Sequence, residues 1–250
     1  MSEHAHNLLP FVEETDQSFE LADLVTAQVS VSNVSGPITI AAWDQPGAHL
    51  HAVKRAGSQR VLDATRIVIT QAGDQITART VIDEDAIRAE VMGFLRGERT
   101  GAVVEYRLQL PAACAARVKT VNGSVTISGL SHQVEANAVN GAVTLTHTGG
   151  TIHAETVNGA LKAEQIAGRA HLSTVSGSLE LREASPTDLE ARTVNGDIRA
   201  QLTIEAGGHY TFNSTNGNCQ LTIPADSRCA VEMEAINGGG QRIGITDKRI

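Results

Sequence analysis

The tripeptide Val-Asn-Gly recurs along the second half of the chain and constrains its fold more than any other feature. Its glycines are 18, 18, 18, 19, 21 and 21 residues apart. A regular period of this length is typical of repeat proteins, in which each unit buries its apolar face against the next. The motif or a close relative stands at 121–123, 139–141, 157–159, 175–177 (Val-Ser-Gly), 194–196, 215–217 (Thr-Asn-Gly) and 236–238 (Ile-Asn-Gly).

Alignment of the repeats on their glycines shows that apolar and polar positions alternate. Seven and five residues before the glycine of the third repeat stand Ile152 and Ala154, and the polar residues His153 and Glu155 lie between and after them. The other repeats follow the same pattern, which resumes after each glycine. Alternation with a period of two is typical of a β-strand with one buried face. Each repeat therefore predicts two short strands that meet at the glycine.

Two architectures fit such repeats: a solenoid with parallel stacked strands, and an antiparallel meander that uses Asn-Gly as a hairpin turn. The Asn-Gly dipeptide alone favours the hairpin. Like residues recur in columns, however, and the differences in repeat length fall at the other corner, in 184–187, 205–208 and 224–227. Insertions confined to one corner favour the solenoid. We predict an all-β, single elongated parallel β-solenoid with about 18–21 residues per coil and a short inserted helix.

The repeated corner has a chemical explanation. Glycine can take the positive φ that a sharp turn needs, and asparagine tolerates the left-handed region. Stacked asparagines can also exchange side-chain amide hydrogen bonds from coil to coil. The predicted corner ladder consists of Asn122, Gly123, Asn140, Gly141, Asn158, Gly159, Ser176, Gly177, Asn195, Gly196, Asn216, Gly217, Asn237 and Gly238, with Ser176 as a gap among the asparagines.

Three regions follow from these patterns: a tail or cap at 1–17, an irregular solenoid part at 18–110, and the regular repeats at 111–250. The irregular part resembles a degenerate form of the same fold. It has a degenerate Val34-Ser35-Gly36 corner, and strands are expected near 48–54, 63–70, 74–80 and 102–109. A helical insertion is expected near 83–97. Its apolar face is a possible partner surface, or else packs on the solenoid, and consists of Ile87, Val91, Phe94 and Leu95.

Three segments carry a resemblance to a known family. They are Val29 to Ile40 followed by Ala41-Ala42-Trp43-Asp44, then Val104 to Pro111, then Lys119 to Val125. Together they resemble the bacterial "putative adhesin" family of β-strand-repeat domains of unknown function, over about residues 18–245. The resemblance implies a β-solenoid with no known catalytic residues, and relatives that are often tied to the cell envelope.

Charge and cysteine content exclude several classes of function. The chain has 20 basic and 28 acidic residues, a net charge of -8, which argues against a nucleic-acid partner or an anionic membrane surface. Cys114, Cys219 and Cys229 are far apart and indicate neither a disulfide framework nor a zinc site.

The N-terminal segment lacks the pattern of a signal peptide, and no segment is long and apolar enough for membrane insertion. We expect a cytoplasmic location, with any envelope association mediated by a partner.

Two of the histidines form the one group of residues that could bind a metal. His153 and His171 fall in one outward column between Glu135 and Glu190, and could either bind zinc or belong to a solvated ladder of complementary charges. His49, His51 and His147 each stand alone in the pattern.

No nucleophile or phosphate-binding motif is present, so we expect no cofactor and no catalysis. The sequence predicts a structural or binding scaffold for a protein partner or for self-association. The alternative is a solenoid that binds or cleaves carbohydrate, although aromatic residues amount to only 3%.

Overall fold

Two long sheets face each other in the computed structural model, which describes residues 9–83, 101–204, 207–225, 227, 230–238 and 241–246. Sheet A consists, in spatial order, of β1 (Phe11–Phe19), β4 (Ala48–Ala56), β7 (Ala102–Pro111), β3 (Ile38–Trp43), β9 (Val125–Ser128), β11 (Val143–Thr146), β13 (Leu161–Glu164), the first part of β15 (Leu179–Asn195), β16 (Ile198–Leu202), β18 (Cys219–Pro224) and β20 (Gln241–Thr246).

Sheet B lies opposite. It consists, in spatial order, of β5 (Thr65–Ala72), β6 (Gln75–Ile82), β2 (Gln28–Ser35), β8 (Ala115–Asn122), β10 (Gln133–Asn140), β12 (Thr151–Asn158), β14 (Ala167–Ser176), the second part of β15, β17 (His209–Asn216) and β19 (Ala230–Ala235). The short helix α1 (Gln59–Ala64) connects β4 to β5.

The repeats stack as parallel coils, which confirms the solenoid and excludes the meander. Strand β12 lies parallel between β10 and β14, with Asn158 level with Asn140 on one side and with Ser176 on the other. Each repeat adds one strand to sheet B and one to sheet A. The extra residue of the 19-residue step, Thr187, is accommodated by a bulge between β14 and β15, away from the Asn-Gly corner.

The core is a thin layer between the sheets, built from the inward positions of both. Side chains at the two apolar columns of sheet B are buried as the alternation predicts, except Val231 and Met233, which are partly buried, and they meet those of sheet A. Most are alanine, valine, leucine or isoleucine, and the largest fully buried ones are Tyr106, Tyr210 and Phe212. Small β-branched and aliphatic side chains suit this narrow space, and their burial is the main stabilising contribution.

The first coils of the stack are out of sequence order. Strands β2 and β3 lie between the coil formed by β6 and β7 and the coil formed by β8 and β9. These pairings are parallel, as in the regular repeats. Strands β1, β4 and β5 instead pair antiparallel with their neighbours. Alternation predicted strands here because it reports a buried face, but it carries no information about the direction of the neighbouring strand.

Residues 11–17 of the region expected to be a tail or cap belong to β1, which forms the edge of sheet A beside β4. The helix expected near 83–97, with Ile87, Val91, Phe94 and Leu95, lies almost entirely outside the described residues and stays a prediction. Within the described ranges, no helix is long and apolar enough to cross a membrane.

Candidate binding surface

Stacked columns of side chains cover the outer face of sheet B, and three of them form the candidate surface. Because equivalent strands stack in register, equivalent side chains follow one another about 4.8 Å apart. The outer column, six residues before each corner glycine, contains Arg117, Glu135, His153, His171 and Glu190; the middle column, four residues before it, contains Lys119, Asn137, Glu155, Ser173 and Arg192. The column nearest the corner, the valine column, contains Val121, Val139, Val157, Val175 and Val194.

The structure brings the predicted corner residues together in one stacked column. The Asn140 amide donates to the side-chain oxygen of Asn122, and that of Asn158 donates to Asn140, both at 2.9 Å. Beyond the gap, the amides of Asn216 and Asn237 donate to Asn195 and Asn216 at 2.7 and 3.1 Å. Ser176 lies between the two runs. Within the described residues no side-chain amide bond links the runs across it.

The expected reason for the corner glycines is wrong, because none of the seven has a φ in the left-handed region. Their backbone instead passes very close to the preceding coil. A Cβ on Gly141 would lie 2.0 Å from the carbonyl oxygen of Gly123, and the other six corner glycines have the same contact at 1.9 to 2.1 Å. Any side chain would collide with the backbone of the preceding coil. Of these seven glycines and the glycine of the degenerate corner, only Gly36 has a positive φ, of 115°.

A column of buried hydroxyls lies beneath the corner and was missed by the sequence analysis. The hydroxyls of Thr156 and Thr174 donate to the carbonyl oxygens of Gly141 and Gly159, at 2.9 and 3.0 Å. Thr193 and Ser214 make the same bond in the following coils. The available signal was a threonine or serine recurring three residues before the glycine.

The valine column was also missed, although its position could have shown it. Each valine stands two residues before its glycine, in phase with the polar columns, so alternation directs it outward. The five side chains are 41 to 42% exposed. Four of them, all but Val194, line a groove of about 620 Å³ together with residues of the middle column such as Lys119 and Glu155. An outward position that is apolar in five consecutive coils is the least expected feature of this face.

The two histidines of the outer column meet in space. The rings of His153 and His171 are stacked, with centroids 4.8 Å apart and an interplanar angle of 7°. Glu155 of the middle column lies beside both, and Glu190 contacts His171 Nδ1 at 2.7 Å. Glu135, the other expected neighbour, instead pairs with Arg117.

The expectation that His49 and His51 stand alone is wrong. Antiparallel pairing of β1 with β4 places Asp16 opposite His51. The two carboxylate oxygens of Asp16 lie 2.9 Å from His49 Nε2 and 3.2 Å from His51 Nδ1. The hydrogen bond from His49, followed by that from His51, holds the pKa of Asp16 below its usual value. The sequence pattern did not indicate this contact, because Asp16 lies in the region expected to be a tail or cap.

A family model described as Toastrack DUF4097 matches residues 117–243, just over half of the chain. The chain belongs to the Toastrack DUF4097 family. This confirms the expected membership of a β-repeat family of unknown function. The matched segment contains the corner ladder, the valine column and the stacked histidines of this Toastrack chain. No curated protein sequence matches it.

Solved structures resemble the Toastrack chain in fold at low sequence identity. A "putative adhesin" from Bacteroides fragilis NCTC 9343 has 12% identity and a TM-score of 0.57, over 93% of this chain and 97% of that one. A "putative lipid binding protein" from Parabacteroides distasonis ATCC 8503 has 14% identity and a TM-score of 0.49, over 92% and 96%. The first similarity shows that the Toastrack chain shares the fold of the Bacteroides protein over 93% of its length.

Two cysteines and both tyrosines of the Toastrack chain are buried. Cys114 and Cys219 are free thiols inside the core, and burial, with Asp74 contributing, raises the pKa of Cys114 to about 11. Such a thiol stays protonated at neutral pH and is a poor nucleophile. Tyr106 and Tyr210 are also buried, so neither offers its ring to a sugar. Cys229 lies outside the described residues.

Proposed function

We propose that this chain is a non-enzymatic binding scaffold that recognises a protein partner along the valine column. The observation that carries the proposal is the exposure of five stacked valines, each 41 to 42% accessible. At one valine per coil the column extends over roughly 19 Å. Contiguous exposed apolar patches rimmed by polar residues mark interaction sites on soluble proteins. The Bacteroides fragilis protein of the same fold, described as a "putative adhesin", is consistent with a binding role.

The geometry favours a helical partner segment over an added strand. The valine-bearing strands are hydrogen-bonded on both edges, as β10 is to β8 and β12, so an incoming strand has no edge to join along this face. Binding must use side chains. A helix of about 13 residues covers 19 Å, and its apolar positions recur about every 5.4 Å, close to the spacing of the coils. Lys119, Glu155 and Arg192 beside the column would set the direction of the helix.

A photocrosslinking experiment tests the proposal in cells that express the chain. A benzophenone amino acid replaces Val157, or Thr144 on the outer face of sheet A as the matched control. We expect Val157, but not Thr144, to crosslink a specific protein. Affinity of the purified partner should then fall at least tenfold for Val139→Asp/Val157→Asp and stay unchanged for Thr144→Asp. Equal crosslinking from both positions would overturn the proposal.

Self-association is the second outcome that the same surface permits. Light scattering coupled to size exclusion should show whether the wild type forms a dimer that Val157→Asp dissociates, in which case a second copy is the partner. No described feature favours the carbohydrate alternative. The cytoplasmic location stays a prediction, which cell fractionation checks.

A further inference from the structure

The stacked histidines and a neighbouring carboxylate form a compact set of ligand atoms. Strands β12 and β14 place His153 level with His171, and Glu155 follows on the same face two residues after His153. Glu155 Oε1 lies 3.2 Å from His153 Nε2 and 4.0 Å from His171 Nε2. One ligand atom from each of the three residues falls within 4.8 Å of the others. Two imidazole nitrogens and one carboxylate oxygen therefore lie within reach of a single ion.

Glu190 fixes which nitrogen of His171 lies beside Glu155. Glu190 lies 2.7 Å from His171 Nδ1, and Arg192 forms an ion pair with Glu190. A carboxylate only accepts, so His171 donates from Nδ1 to Glu190, and its Nε2 is the nitrogen on the side of Glu155. A cation held between the three groups would bind both imidazoles and neutralise the Glu155 carboxylate.

We infer that His153, Glu155 and His171 form a binding site for a divalent transition-metal ion of the zinc class. Two imidazoles with one carboxylate and an open fourth position form a common zinc ligand set, whereas calcium and magnesium prefer oxygen ligands alone. Glu190 holds His171 as a carboxylate behind a metal-binding histidine commonly does. The inference does not depend on the proposed role of the valine column.

The site must contract when it binds, and at least one ring must turn, because an imidazole binds a metal in its ring plane and the two rings are nearly parallel. Ligand atoms around a tetrahedral zinc ion lie about 3.3 Å apart for bonds of 2.0 to 2.1 Å. The side chains of His153, His171 and Glu155 are 43, 31 and 49% exposed, so they can rotate by this amount without disturbing the core. An adjustable, half-exposed site predicts micromolar affinity. Its fourth position faces outward, where water or a group of a bound partner can complete it.

Calorimetric titration of the full chain with zinc chloride at pH 7.5, in a buffer that does not chelate, tests the inference. We expect binding of one ion with a micromolar Kd, and a loss of at least thirtyfold in His153→Gln/His171→Gln. Glu190→Gln should weaken binding about tenfold, as removal of such a supporting carboxylate does. His147→Gln is the matched control and should bind like the wild type, since His147 lies on the other corner. Zinc should also raise the melting temperature of the wild type and the control only.

Three results would overturn the inference. One is the absence of zinc binding up to millimolar concentration. Another is equal binding by the wild type and by His153→Gln/His171→Gln when both melt alike in the absence of zinc. The third is loss of binding in His49→Gln/His51→Gln instead, which would place the ion beside Asp16. Cobalt substitution adds a spectroscopic check, because its visible bands should disappear only when a true ligand is replaced.

Discussion

At the scale of single residues, the corner glycines are required because backbone meets backbone. Gly141 shows the consequence, since its Cβ would lie 2.0 Å from the carbonyl oxygen of Gly123. We predict that Gly141→Ala lowers the free energy of unfolding by about 3 kcal/mol, because two stacked coils must separate to admit the methyl group. Urea unfolding followed by circular dichroism measures the change.

Gly149 provides the control for this prediction. A Cβ there would meet its nearest neighbour, the Cα of Ser131, at an ordinary 3.7 Å, and its φ lies outside the left-handed region. Gly149→Ala should change the stability by no more than about 0.5 kcal/mol. Similar losses in both variants would show that the close approach at the Asn-Gly corner is not the reason for its glycines.

A single hydroxyl distinguishes two threonines of the buried column. Thr174 donates to the carbonyl of Gly159, so Thr174→Val should cost about 1 kcal/mol. The Thr120 hydroxyl is buried without a hydrogen-bond partner in the described residues. The equivalent carbonyl, that of Gly36, already accepts from Asn33. Thr120→Val should therefore be neutral or stabilising. Thermal unfolding of the two variants measures the difference. Equal losses of stability in both variants would contradict this explanation.

At the scale of elements, the corner ladder is interrupted at one rung. Ser176 lies level with Asn158 on one side and Asn195 on the other. Ser176→Asn should join the two runs through two new amide hydrogen bonds. At roughly 0.5 kcal/mol each on an exposed corner, the gain is about 1 kcal/mol. For a chain of this size the melting temperature should rise by about 2 to 4 °C.

Ser173→Asn is the control for the ladder. It introduces the same side chain on the same strand, in the middle column and away from the corner. We expect no significant rise in its melting temperature. If both substitutions raise it equally, the gain comes from asparagine in a strand and not from the ladder.

The sequence predicted those elements whose signal lies in periodicity, and missed those that depend on neighbours far along the chain. Ile152 and Ala154 were placed in the core because alternation defines a buried face. Val157 obeys the same alternation, but as part of the corner motif it was not read as a surface residue. The contact of Asp16 with His49 could not be predicted, because it requires the antiparallel partner of β1. The close approach behind Gly141 is likewise a property of two coils, although the glycine itself was identified.

At the scale of the whole molecule, the two ends of the chain are not equivalent. Strand β2 lies close to the N-terminus in sequence, yet it is enclosed between β6 and β8. Its coil is further covered by the antiparallel strands β1, β4 and β5 beyond β6 and β7. Among the described strands, β19 pairs with β17 alone and β20 with β18 alone. Stacked repeats open from their free ends, where fewer neighbours hold each coil.

Hydrogen exchange measured by mass spectrometry should therefore show an order of protection that the order of the sequence does not suggest. Peptides from β2 and β3 should exchange as slowly as those from β10 and β12 in the middle of the stack. Peptides from β19 and β20 should exchange first. Opening their coil breaks one interface between coils, whereas opening the coil of β2 breaks two. A β2 peptide that exchanged as fast as a β19 peptide would contradict this order of coils, since an N-terminal coil stacked simply in sequence order would open from its own end.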